Sequence, residues 1–523
     1  MINLILNSRF AILYIIPFLL GGLSVFSFQP FNFSIINFFL FPLLFLLIVY
    51  INKKSKSIYR KRPYNINFFI AGLIFGFSFY FSGIFWISYS LTFDESFKVF
   101  IPFFIILVPL FLGLFMGFTI LTVGRFLSLD ITSLLLFSGS IALSDYLRSK
   151  ILTGFPWNLW AYSWSWLIEV IQIVNVIGLF AFNLIVITVF TVPAVLIFNM
   201  SIARKIITIS LSFTIVFLIY IYGTFSINKN KGVLNYTNDD KKINVKVVSP
   251  NFELKYNLSA KNMRENLEKL IKYSSPDSKK NTIFVWPEGV FTGYNYEEIS
   301  IHSQLIKDNF SKKHLIIFGV NTLDQASNKY FNSLVVVNND LKIIGKYDKI
   351  KLVPFGEFLP MENLLKNFGL KKITEGYNSF SKGKNQDIIK IGELNFLPLI
   401  CYEIIFPELI QNIDEKINLI INISEDAWFG DSIGPHQHFV KAIFRSIEAD
   451  SFLLRSANKG ISAIINNKGE IIKKLEIGEA GNIEFDIPLI GEQHKNKNDL
   501  IFFSLLITYL IIFILFKKKN NAK

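Results

Sequence analysis

Cysteine is nearly absent: Cys401 is the only one among 523 residues. No disulfide can form within the chain, so any part of it outside the cytoplasm must be held by its own core. Histidine is scarce as well, with His302, His314, His436, His438 and His494 the full set. His436 and His438 stand two apart, but no third ligand follows at a recognisable spacing, and no metal centre is expected. Internal repeats and low-complexity linkers are missing. Charged residues make up only 18% of the chain. The formal charge of +14 would suit nucleic acid, yet residues 228–499 hold 36 Lys/Arg against 34 Asp/Glu, a balance of +2. The surplus lies in apolar regions and tails, where basic residues set orientation, so nucleic-acid binding is not expected.

What the chain has in excess is apolar surface. It is 52% hydrophobic and contains 56 Phe, too many for an ordinary soluble protein. Apolar runs long enough to cross a bilayer fall near 10–28, 34–51, 66–90, 100–123, 131–146, 172–198, 206–226 and 500–516. The fifth is short and is closed by Asp145. The first is long and lacks a small-residue cleavage site, so it is expected to remain as a span. Numbering the loops separates the charges. Arg9, the 53–62 cluster, Arg125, Arg204, Lys205 and the tail lysines fall on one side, and only Lys98, Arg148 and Lys150 on the other. This positive-inside bias puts both termini in the cytoplasm and the long polar segment outside. The expected organisation is a membrane domain of about seven helices over 1–226, an outer domain over 227–499, and a last span with a basic tail over 500–523.

The outer segment has an α/β pattern. Short β-branched runs recur, among them "INVKVVSP", "NTIFVWPE", "HLIIFGVN", "NSLVVVNN", "LNFLPLIC", "INLIINIS" and "GISAIINN". Helical patterns lie between them, clearest at 258–273 and 435–449. Three strand ends carry unusual chemistry: Glu288 in "WPEG", Lys349 with Glu357 eight residues on, and Cys401 with Glu403 two residues on. Taken singly, each has a plainer reading. Cys401 could be a small buried hydrophobe, Glu288 a turn carboxylate, and Lys349 a solvated lysine between Lys346 and Lys351. Glu357 and Glu403 could be surface acids. Together they suit one mechanism. A nucleophilic thiol needs a base, which Glu288 can supply. Lys349 can stabilise the oxyanion of a tetrahedral intermediate.

Segment 244–490 resembles the carbon–nitrogen hydrolase (nitrilase) superfamily through "WPEG", "YDKIKLVPFGEFLP" and "ICYE". The resemblance implies an αββα sandwich. It also implies a triad of Glu288 as base, Lys349 as oxyanion stabiliser and Cys401 as nucleophile, with Glu357 and Glu403 as accessory acids. "LVPFGEFLP", "DAWFG", "GPHQHF", "RSANKGISA", the spans on both flanks and "GFPWN" at 154–158 narrow it to the membrane branch, the apolipoprotein N-acyltransferase family. Tyr256 in "LKYN" departs from the Trp often found there, which bears on substrate contact. The implied reaction moves an acyl chain from a phospholipid, by way of a Cys401 thioester, to the α-amino group of a diacylglyceryl apolipoprotein. It needs no cofactor, and implies a monomeric enzyme in the bacterial inner membrane with its catalytic domain in the periplasm. Trp428 and Phe429 are candidates to line an acyl channel, or else core or interface anchors. The rival readings are a membrane-tethered amidase that hydrolyses a C–N bond through the same thioester, and a transporter or receptor. The second would predict more ionisable residues within the spans than Asp145 and Glu169 near their ends.

Overall fold

The computed structural model describes residues 8–55, 65–235, 242–255, 258–360, 379–413, 415–489 and 498–521. Two compact units divide the chain. One takes Met1–Ser88, Val99–Phe225 and Asn496–Lys523, and the other takes Tyr89–Lys98 and Ser226–Lys495. A single cut at residue 226 therefore misses one piece: Tyr89–Lys98, flanked by apolar helices, belongs to the second unit.

The first unit is helical. Among the described residues, six helices are long and apolar enough to cross a membrane: Ser34–Lys54, Asn65–Gly83, Phe97–Phe126, Leu179–Ile197, Ile202–Lys231 and Asp499–Lys517. Five of these begin before residue 226, against the seven or so expected. The apolar helix Ala11–Ser27 is too short by this measure. The helix Ile131–Lys150 carries Asp145, Arg148 and Lys150 in its last six residues, which lowers its hydropathy. Asp145 and Arg148 are buried together at 3.0 Å, and Asp145 also accepts a hydrogen bond from Asn183 at 2.9 Å. Where apolar helices meet without a hydrophobic driving force, small residues let the backbones approach. A Cβ added to Gly76 would lie 2.9 Å from Gly113 Cα.

The second unit contains two six-stranded sheets. The first is built from β1 (Lys242–Ser249), β2 (Thr282–Val285), β3 (His314–Asp324), β4 (Lys329–Val337), β5 (Ile343–Asp348) and β12 (Gly481–Pro488), in the order β12-β1-β2-β3-β4-β5. The second uses β6 (Ile389–Ile391), β7 (Leu394–Ile400), β8 (Leu419–Glu425), β9 (Phe452–Asn458), β10 (Ser462–Ile465) and β11 (Ile471–Leu475), in the order β11-β10-β9-β8-β7-β6. Each sheet has three parallel strands at its centre, β1-β2-β3 and β7-β8-β9, with antiparallel strands outside them. The pleat sorts the side chains. Val245, Val247, Ile283, Val285 and Ile317 of the first sheet share one core with Phe396, Ile400, Ile421, Ile423 and Leu454 of the second. Val248, Phe284, Ile316 and Phe318 point the other way, onto Met263, Leu267 and Leu270 of the helix Ala260–Ser274. Helix Gly434–Ala449 is buried along its length. These are the layers of an αββα sandwich, and the ends of its parallel strands are where reactive groups collect.

Candidate active site

Glu288 follows β2 by three residues. Trp286 N still donates to Ile317 O at 2.8 Å, and Pro287, which has no N–H, ends the ladder. The carboxylate is then held on both oxygens. Asn332 Nδ2 donates to Oε1 at 2.7 Å, and the backbone N–H of Glu425 donates to Oε2 at 3.2 Å. Gly319 in β3 makes room for this backbone, because a Cβ there would lie 3.0 Å from Glu288 Cα.

Lys349 follows β5 directly, and its own N–H donates to Asn332 O at 2.9 Å. Its side chain is almost fully enclosed. The ammonium lies 2.9 Å from Glu357 Oε1 and 3.6 Å from Glu288 Oε1. Burial alone would drive the proton off, but the two carboxylates more than offset it and push the pKa up. Lys349 is therefore a fixed cation. Glu357 is held in turn by Val353 N–H at 2.8 Å on Oε2 and by Asn332 Nδ2 at 2.6 Å on Oε1.

Cys401 sits where β7 gives way to the short helix Cys401–Ile405. Its φ is 49°, the left-handed region that costs a non-glycine residue of order 1 kcal/mol or more. The half-buried thiol points at Glu425 O, 3.9 Å away. Burial and then Glu288 push the thiol pKa up, against the pull of Lys349. The thiol thus keeps its proton at neutral pH and needs a base as it attacks.

Glu403 has no exposed surface. Its Oε1 accepts from Ile350 N–H (2.8 Å), Lys351 N–H (3.0 Å) and Tyr347 OH (2.8 Å), and its Oε2 from Ile400 N–H (2.8 Å). Burial pushes it up to about 7, with these donors and Lys349 opposing. One carboxyl group thereby fastens the backbone just after Lys349 to the backbone just before Cys401.

The two aromatic candidates separate. Phe429 is buried with its ring 5.2 Å from that of His438, a core position. Trp428 is half-exposed, 5.6 Å from the ring of Phe93. Tyr256 lies outside the described residues. His438 is buried beside Asp426 at 3.0 Å, and among the described residues no group of three or more His, Cys, Asp or Glu could hold a metal.

Several site residues escaped the sequence reading. Asn332 uses both amide protons, one on Glu288 and one on Glu357. Asp426 is clasped by Arg455 Nη2 at 2.7 Å and by Ser424 Oγ at 2.7 Å, beside His438. Burial would raise its carboxyl, but Arg455 and His438 overcome this and hold it well below the usual range. Arg455 also donates to Asn422. The segments "DAWFG", "GPHQHF" and "RSANKG" thus meet in one buried polar cluster under the strand ends. Nothing in their spacing announced it, since the three partners come from three elements.

The sandwich defines a class of fold, and comparison with known proteins names the family. Residues 254–493 match the carbon-nitrogen hydrolase model, and residues 20–192 match the apolipoprotein N-acyltransferase N-terminal domain. An apolipoprotein N-acyltransferase of Rhizobium etli is 31% identical over 486 residues, which is 90% of this chain and 89% of the relative. The one of Rhodopseudomonas palustris is 30% identical over 495 residues, or 91% and 89%. The chain belongs to the apolipoprotein N-acyltransferase family. Among solved structures, a nitrilase-superfamily protein of Saccharomyces cerevisiae is 18% identical, covers 47% of this chain and 90% of that one, and has a TM-score of 0.35.

Proposed function

We propose that this multi-pass membrane enzyme is an N-acyltransferase that carries an acyl chain from a phospholipid, through a thioester on Cys401, to the α-amino group of a diacylglyceryl-cysteine at an apolipoprotein N-terminus. The observation that carries the reading is Lys349 enclosed between Glu288 and Glu357, at strand ends beside the only thiol in the chain. In the first step Glu288 takes the thiol proton as sulfur attacks the ester carbonyl. The ammonium of Lys349 faces the developing oxyanion, and the lysophospholipid leaves with the proton. In the second step Glu288 takes a proton from the incoming ammonium, the freed amine attacks the thioester carbonyl, the C–S bond breaks as the remaining proton passes to the Cys401 sulfur, and the amide departs. Glu357 aims Lys349, and Glu403 holds the backbone on which Lys349 and Cys401 are mounted. Trp428 is the half-exposed aromatic left to meet an acyl chain, while Phe429 is buried in the core against His438.

Mass spectrometry of the purified protein after incubation with phospholipid is the direct test. An acyl adduct on Cys401 is expected, and its absence under turnover conditions would remove the thioester route. The loop charges support a periplasmic site for 227–499 in the bacterial inner membrane, with both termini cytoplasmic. Reporter fusions after residue 60 and residue 240 are expected to report opposite sides, and two cytoplasmic signals would reverse that orientation.

A further inference from the structure

Glu425 closes β8, and its carboxyl group has no part in the chemistry above. Its backbone is already at the centre: the N–H holds Glu288 Oε2 at 3.2 Å, and the carbonyl faces Cys401 Sγ at 3.9 Å. The side chain folds back over the same spot. Oε1 accepts from Ala427 N–H at 3.0 Å and Oε2 from Asn458 Nδ2 at 2.8 Å. It lies flat on Gly289, the residue after the base, where an added Cβ would come 2.5 Å from Oε2. Gly289 has a φ of 77°, so a side chain there is excluded by backbone and by space alike. Asn458 is itself pinned, exchanging hydrogen bonds with Phe252 N (2.7 Å) and Phe252 O (3.0 Å).

The electrostatics of this carboxyl group are one-sided. Its charged neighbours are Glu288 and Asp426. Lys349 is engaged by Glu288 and Glu357, and Arg455 by Asp426 and Asn422. Among the described residues only uncharged donors hydrogen-bond Glu425. A buried carboxyl group between like charges, with no cation of its own, keeps its proton. Burial, opposed by Asn458 and Ala427, indeed pushes it well above the usual carboxylate range.

We propose that Glu425 is a positioning residue of the acyl-transfer centre, acting as a neutral carboxylic acid that locks its own backbone between the base Glu288 and the nucleophile Cys401. The inference rests on the roles proposed for those two residues. A charged Glu425 would add a third carboxylate beside the thiol and oppose its ionisation, and a missing one would free the peptide that aligns base with sulfur.

The test uses the full-length protein in detergent micelles and measures the rate of acyl-adduct formation on Cys401 with a defined phospholipid. Glu425→Gln keeps size and neutrality and one of the two accepting oxygens, while its NH2 group gives up the other hydrogen bond, and it is expected to acylate within about fivefold of wild type. Glu425→Ala is expected to slow acylation on the order of 10–100-fold with the donor KM unchanged, the mark of lost alignment. Infrared spectra supply a readout that a structural role alone would not move: the protonated-carboxyl C=O band of the wild type should lose a component in Glu425→Gln. An unchanged band, a folded Glu425→Gln as slow as Glu425→Ala, or a fully active Glu425→Ala would each overturn the proposal. Should Glu425→Ala not fold, the glutamine variant and the spectrum still decide. Wild-type protein that forms no adduct would defeat the thioester reading and this inference with it. A wild-type adduct with any of the overturning results defeats this inference alone.

Discussion

Lys349→Met is expected to cut the rate of Cys401 acylation by about 10²–10³-fold, the usual cost of removing one oxyanion partner from a dry site. The expectation comes from how closed the site around Lys349 is. Its ammonium touches Glu357 at 2.9 Å and stands 3.6 Å from Glu288, and nearby burial offers little water to take its place. Methionine fills similar volume without charge, so the loss is electrostatic. A second effect follows from the same geometry. Without the ammonium, Glu288 and Glu357 share only the amide of Asn332, and a buried pair broken on one side typically costs 3–5 kcal/mol. The variant should therefore melt earlier. Adding Glu357→Gln removes one of the two carboxylates, and should restore much of the stability while leaving acylation slow. Single-turnover adduct formation and thermal melts on the three proteins separate the two effects. Near-normal acylation by folded Lys349→Met would return this lysine to a purely structural place.

The second large effect concerns which nucleophile discharges the thioester. With phospholipid alone the acyl-enzyme is expected to persist. A transferase must keep water from the thioester while it waits for an amine. Adding a diacylglyceryl-cysteine peptide with a free α-amino group should then discharge it to an amide, and an N-blocked peptide should leave it intact. Glu288 is the group that would accept the proton of the incoming ammonium, since its two oxygens are held by Asn332 and by the Glu425 backbone beside Cys401. Product identity decides between the two readings of this site. Rapid release of free fatty acid, unaffected by the free-amine peptide, would make the enzyme a membrane-tethered hydrolase.

Much of the fold could be read in the order of residues, and the strands it hid were hidden for physical reasons. β1, β2, β3, β4, β7, β8 and β10 stand out as β-branched or apolar runs because their residues are buried, several on both faces of a sheet. β11 and β12 lie at sheet ends, with exposed or half-exposed Lys473, Lys474 and Glu484 in them, so their composition looks like loop. β9 is hidden for a different reason. It is wholly buried, but Arg455, Ser456 and Asn458 interrupt its apolar run, because Arg455 holds Asp426, Ser456 donates to Val248 O of the other sheet, and Asn458 holds Glu425. The helix Ile131–Lys150 shows the reverse ambiguity: it is apolar over most of its length, while Asp145 and Arg148 pair inside the unit near its end.

The sequence by itself supplied the candidate reactive groups. One thiol, a lysine and a glutamate each closing a β-branched run leave few chemistries open, and the spans around them tie the domain to a membrane. Local chain chemistry also set the turns that present these groups, through Pro287 after β2 and the break after Ile400. Only the tertiary structure decided which groups hold them. Asn332 reaches Glu288 and Glu357 because β4 lies between β3 and β5. Glu403 joins the backbones around residues 350 and 400 because the two sheets face each other. Glu425 meets Gly289 because β8 ends beside the turn after β2. Side chains tens to more than a hundred residues apart are brought within hydrogen-bond distance by strand order and sheet packing, and neither is a property of any short stretch of chain.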